Sequence, residues 1–89
     1  MEQITMKKTR LEKNPSTKTT FNILEEATEV IPRERYEFIT KPDTLKWFRS
    51  LGGSETAERS YTCRGYNITR LTSTSPNKQI KVIREFKFI

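Results

Sequence analysis

Histidine is absent from this sequence, and cysteine occurs once, as Cys63. Without an imidazole the chain has no Ser-His-Asp or Cys-His constellation and no His-rich zinc site. A single thiol makes no internal disulfide, whereas a small secreted domain normally depends on several. The expectation is therefore a cytoplasmic protein, with Cys63 as a small buried or half-buried side chain. No apolar run approaches the roughly 20 residues that span a bilayer, and the first residues lack the apolar stretch of a secretory signal, so no membrane partner is expected. Glycine is scarce as well, with three in the chain. Two of them stand in Gly52-Gly53-Ser54, which follows a helix signal instead of preceding one and so reads as a cap, not a phosphate cradle. Neither a cofactor, a metal nor a small-molecule substrate is expected. Asn67-Ile68-Thr69 matches the glycosylation sequon, but a cytosolic chain does not meet that machinery.

What the sequence does contain is charge and aromatic rings. Of its 89 residues, 31% are charged and 33% hydrophobic, with nine aromatics, too many for a typical disordered chain but enough for one modest core. The net charge of +6 is uneven. Residues 1–20 carry five Lys/Arg against two Glu, residues 21–48 four against six acids, and residues 49–89 eight against three. Two basic ends flanking an acidic middle point to a polyanionic partner such as nucleic acid or a nucleic-acid-bearing complex, or else to a charge that only keeps a small protein in solution.

Along the chain, residues 1–17 show no sustained period, and Ile4, Met6 and Leu11 stand isolated among Lys, Arg and Thr. This stretch is expected to be a flexible basic arm ending in the Asn14-Pro15-Ser16 turn signal. Residues 19–31 are ambiguous. Ile23, Leu24, Ala27, Val30 and Ile31 make a helical stripe, while three threonines, Val30 and the Pro32 stop favour a strand. Pro32 opens a short helix with Tyr36 and Ile39 inward. A second helix is expected over Pro42 to Leu51, capped by Asp43 or Thr44, with Leu45, Phe48 and Leu51 inward, Arg49 complementing its dipole and Gly52-Gly53 ending it. Thr56–Thr62, Gly65–Ser73 and Gln79–Phe88 then read as antiparallel strands. In the last of these Ile80, Val82, Phe86 and Phe88 share one face, Lys81, Ile83, Glu85 and Lys87 the other, and Arg84 interrupts the apolar side. The predicted fold class is α+β: residues 18–89 form one compact domain of two short helices packed on a three- or four-stranded antiparallel sheet.

Candidate binding residues are those that such a sheet would display. Arg59, Arg64, Arg70, Lys81, Arg84 and Lys87 crowd one exposed face beside Tyr61 and Tyr66, an arrangement that suits phosphate contact and base stacking. The alternative is the solvated side of an ordinary sheet. Trp47 either packs in the core or projects as an interface anchor. Glu25, Glu26 and Glu29 supply carboxylates without a metal-binding companion set, and Cys63 has only Arg64 to activate it. Catalysis is therefore not expected.

The segments FRSLGGSET, YTCRGYNITRLTSTSP and IREFKF, within Leu45 to Ile89, resemble small accessory proteins of phages and mobile elements of Gram-positive bacteria. That resemblance implies a bacterial host cytoplasm and a regulator of DNA or an inhibitor of host defence, among them anti-CRISPR proteins that occupy nucleic-acid-binding surfaces of a CRISPR effector nuclease. Inhibitors that mimic DNA are mostly acidic, whereas a +6 chain would meet guide RNA, target DNA or an acidic protein surface. The leading expectation is a binding protein that modulates a nucleic-acid-handling host complex; the other is direct binding of DNA or RNA.

Overall fold

The computed structural model describes residues 3–88 apart from Cys63 and Arg64, and the side chains of residues 58–67 lie outside that description. The elements in order are β1 (Ile4–Lys13), β2 (Phe21–Ile31), α1 (Arg33–Thr40), α2 (Pro42–Ser50), β3 (Ser54–Thr62), β4 (Gly65–Thr74) and β5 (Ile80–Phe88). All strand pairs are antiparallel, in one five-stranded sheet ordered β2-β1-β5-β4-β3. The α+β class and the two helices are as expected, but the sheet has five strands, not three or four.

Both additional strands come from the N-terminal third. Within residues 19–31, Phe21–Ile31 form strand β2, and most of the expected flexible arm, Ile4–Lys13, is instead β1, a strand with neighbours on both sides. Ile4 pairs with Ile31 and Phe88, and Met6 with Glu29 and Phe86, which leaves both apolar side chains almost fully buried. Two apolar residues in a short segment do not offset the entropy of ordering it alone. They do so once β2 and β5, distant in sequence, supply apolar partners from both sides.

The β1–β2 turn explains why Asn14-Pro15-Ser16 looked like a linker. The Asn14 carboxamide oxygen accepts from the Ser16 N–H at 2.8 Å, the Asn14 N–H donates to the Thr20 carbonyl at 2.8 Å, and Lys18 takes a left-handed φ of 58°. The same chemistry closes β4 onto β5, where Lys78 has a φ of 60° and Asn77 accepts from the Gln79 N–H. These short polar side chains satisfy turn backbone groups that the ladder leaves open.

Sheet order then fixes where the helices lie. The chain leaves β2 at one edge and resumes in β3 at the other, so its connection must cross four strand spacings, about 19 Å at roughly 4.8 Å each. α1 and α2 make that crossing over one face. Pro42 occupies the first turn of α2, preceded by Lys41 as N-cap, so neither Asp43 nor Thr44 caps the helix. Past its end Gly52 takes a φ of +88°, as a helix-terminating glycine does. Gly53 is required for a different reason: a Cβ there would collide with the Phe48 ring.

The core lies between this crossing and the sheet. It comprises Ile4, Met6, Ile31, Tyr36, Leu45, Ile68, Leu71 and Phe86, with Ile39, Ala57 and Phe88 packed against it. Tyr36 is its pivot. Its ring meets Phe86 and Phe88 edge-on, both at 5.0 Å, and its hydroxyl accepts from the Ile68 N–H at 2.8 Å while donating to the Ile68 carbonyl at 3.1 Å. Of the expected inward stripe of α2, Leu45 is buried and Phe48 half-buried, but Leu51 lies in the turn and is 56% exposed. The helix ends a residue earlier than its stripe.

Candidate binding surfaces

Helices on one face leave the other open. Alternation along the strands places Lys7 and Lys13 of β1, Arg70 of β4, and Lys81 and Lys87 of β5 on that open face, among Thr5, Thr9, Thr28 and Thr72. Among the residues whose side chains are described, Glu26 and Glu85 are the acids interspersed with them. Lys7 reaches Glu26 at 3.6 Å, and both side chains are half exposed, so the pair contributes little to stability. Lys81 lies 4.5 Å from the Phe21 ring centroid, a cation–π contact across the strands. Thr5, Lys7, Thr28, Arg70, Glu85 and Lys87 line a shallow depression of about 460 Å³.

Three of the expected binding residues, Arg70, Lys81 and Lys87, thus share the open face. Arg84 does not. It pairs in register with Leu71 and Lys8 and points to the side that bears the helices, where it lines a groove with Trp47. The break it makes in the apolar face of β5 is real, and it places Arg84 opposite the other cations. Arg59 and Tyr61 belong to β3 and Tyr66 to β4, with backbone pairs Arg59↔Ile68 and Tyr61↔Tyr66. Their side chains, and Arg64 and Cys63 altogether, lie outside the described residues. Sequence reasoning missed Lys7 and Lys13 because their segment was not read as a strand. The signal was present in Ile4-Thr5-Met6-Lys7, an apolar–polar alternation two repeats long.

Trp47 is 63% exposed on α2 and Phe38 is 66% exposed on α1, so the indole is a surface ring rather than part of the core. Between these rings and the β4–β5 hairpin runs a groove of about 390 Å³. Burial, and secondarily the nearby Arg35 cation, hold Arg84 below the ordinary guanidinium range. The group nonetheless stays protonated at any working pH.

Three acids of the acidic middle of the chain are held in ion pairs. Glu26 meets Lys7, Glu29 meets Arg35 at 3.3 Å, and Glu37 meets Arg33 at 3.1 Å. Glu55 is a different case, with its side chain 2% exposed and paired to Arg49 of α2, an arginine expected only to face the helix dipole. Among the described residues there is no cluster of three side chains able to hold a metal, and no helix is long and apolar enough to cross a membrane. No family model, curated protein or solved structure matches the chain.

Proposed function

We propose that this chain is a binding protein of the phage and mobile-element kind, which engages a nucleic-acid-handling host complex through the open, basic face of its sheet. One observation carries the reading: among the residues whose side chains are described, five cations stand against two acids on a face that no helix covers, spread over β1, β5 and β4. Lysines and an arginine on adjacent strands form a rigid array at strand spacing, suited to the phosphates of a nucleic acid or to an acidic protein surface. Threonine hydroxyls between them add neutral donors. Phe21 is the aromatic ring that alternation places on this face among the described residues, and Lys81 covers it. The face therefore favours charge contact over base stacking.

The test compares the wild-type chain with a Lys7→Glu, Lys81→Glu, Lys87→Glu variant as bait in bacterial lysate, with and without nuclease treatment. Capture of a protein complex that survives nuclease and is lost with the variant supports the proposal. Capture abolished by nuclease, with affinity falling steeply as salt rises, assigns the same face to direct nucleic-acid binding. Full capture by the folded variant removes this face from consideration.

A further inference from the structure

The groove on the helix-bearing side is independent of the basic face and lies on the opposite surface. Leu45, Leu71 and Val82 line its interior, and Phe38 and Trp47 flank it. Arg84 enters it half-buried. Among the described residues no carboxylate lies within ion-pair distance of Arg84. Two cations are set against it: Lys8 opposite it in register, and Arg35, which is already engaged by Glu29. A guanidinium taken partly out of water beside other cations is unfavourable in the isolated domain. So is the exposure of two large aromatic rings next to each other. A single type of occupant would relieve both conditions.

We propose that this groove receives a segment of a partner protein in which a carboxylate side chain stands beside an apolar or aromatic one. The apolar side chain enters between Phe38 and Trp47 and covers Leu71 and Val82. The carboxylate meets the Arg84 guanidinium, whose planar donors suit bidentate pairing. Charge complementarity selects the acid, because among the described residues no carboxylate pairs with Arg84. The openness of the groove selects a chain over a small molecule. A compact ligand would leave the outer faces of both rings wet, whereas pockets for small ligands bury most of what they bind. A peptide segment crossing the groove covers both rings at once, and tryptophan and arginine are the residues that most often dominate such contacts.

The test uses a panel of short peptides carrying Phe or Leu next to Asp or Glu, with a matched panel in which Asn and Gln replace the acids. Binding is read by fluorescence anisotropy and by Trp47 emission, the chain's single tryptophan. The expected result is that acidic peptides bind and shift the emission, and that the amide panel binds at least about tenfold more weakly. Arg84→Met and Trp47→Ala should each cost at least about tenfold while retaining a cooperative melt, and Ile23→Ser, exposed on the edge strand β2 away from the groove, should change nothing. The proposal is overturned by equal binding of the amide panel, full binding by folded Arg84→Met, no binding of any peptide at millimolar concentration, or a concentration-dependent dimer abolished by Arg84→Met, which would seat a second copy of the chain in the groove. Arg84-dependent binding of dodecanoate without peptide binding would overturn it as well, in favour of a small apolar acid.

Discussion

Replacing Tyr36 by phenylalanine removes one oxygen and leaves the ring in place. The ring is 4% exposed and packs edge-on against Phe86 and Phe88, so the apolar part of the contact survives. Both backbone groups of Ile68 lose their partner in the hydroxyl. The β3–β4 ladder shifts register between Glu58 and Arg59, directly opposite Ile68, which is why a side chain from α1 serves these groups. Each lost bond is worth about 1 kcal/mol net, and a buried backbone group left unsatisfied costs about 1–3 kcal/mol. We expect a loss of about 2–4 kcal/mol, a large share of the roughly 5–13 kcal/mol available to a domain of this length. The midpoint of thermal unfolding should fall by about 10–25 °C. Urea denaturation followed by circular dichroism measures this, with an unchanged m-value showing that the folded state is still the same. A Tyr36→Phe variant within about 0.5 kcal/mol of wild type would refute the reasoning, because it would mean that water or a rearranged ladder serves Ile68 equally well.

The same assay tests three further expectations. Phe86→Ala should cost about 3–5 kcal/mol by emptying the space against Tyr36 and Met6; a midpoint near that of the wild type would place the ring outside the core. Met6→Asp should abolish cooperative unfolding, because it puts a carboxylate at a position 2% exposed between β2 and β5; a folded variant would restore the flexible arm read from the sequence. Arg49→Met should destabilise by about 2 kcal/mol through the stranded Glu55 carboxylate, less than for a fully buried pair because Arg49 is itself 56% exposed. The companion change Glu55→Gln in the Arg49→Met background should recover part of that loss, and failure to do so would show that the pair is not the source.

Which parts of the fold were legible in the sequence depended on how far apart the cooperating residues lie. The α1–α2 pair, the turn at Gly52 and the alternation of β5 are written in residues a few positions apart, and each was read at about its observed place. β1 was not, since Ile4 and Met6 become core residues only against Phe86 and Phe88, at the other end of the sequence. The ambiguity of residues 19–31 has a related cause. β2 is an edge strand exposed along nearly its whole length, so burial imposes no strict alternation on it, and the bulge near Leu24 shifts the register further. The candidate site divided in the same way. Lys81 and Lys87 followed from the period of β5, and the isolation of Arg84 was visible as a break in that period, but the groove it enters is assembled from four elements, α1, α2, β4 and β5, and has no signature in any one of them.

The pairing of β1 with β5 also governs how the protein comes into being. The ladder from Ile4↔Phe88 to Glu12↔Ile80 joins the first of the five strands of this sheet to be made to the last of them. Translation at roughly 5–20 residues per second leaves the β1–β2 hairpin waiting for seconds with Ile4 and Met6 wet and one long edge of β1 unpaired. During that interval β1 is a template for any passing strand, including β5 of a neighbouring nascent chain, and domain-swapped dimers are the expected by-product of crowded synthesis. A circular permutant that links the two ends and opens the chain within residues 14–20 would turn the most distant pairing into a local hairpin. It should fold faster from the same set of contacts.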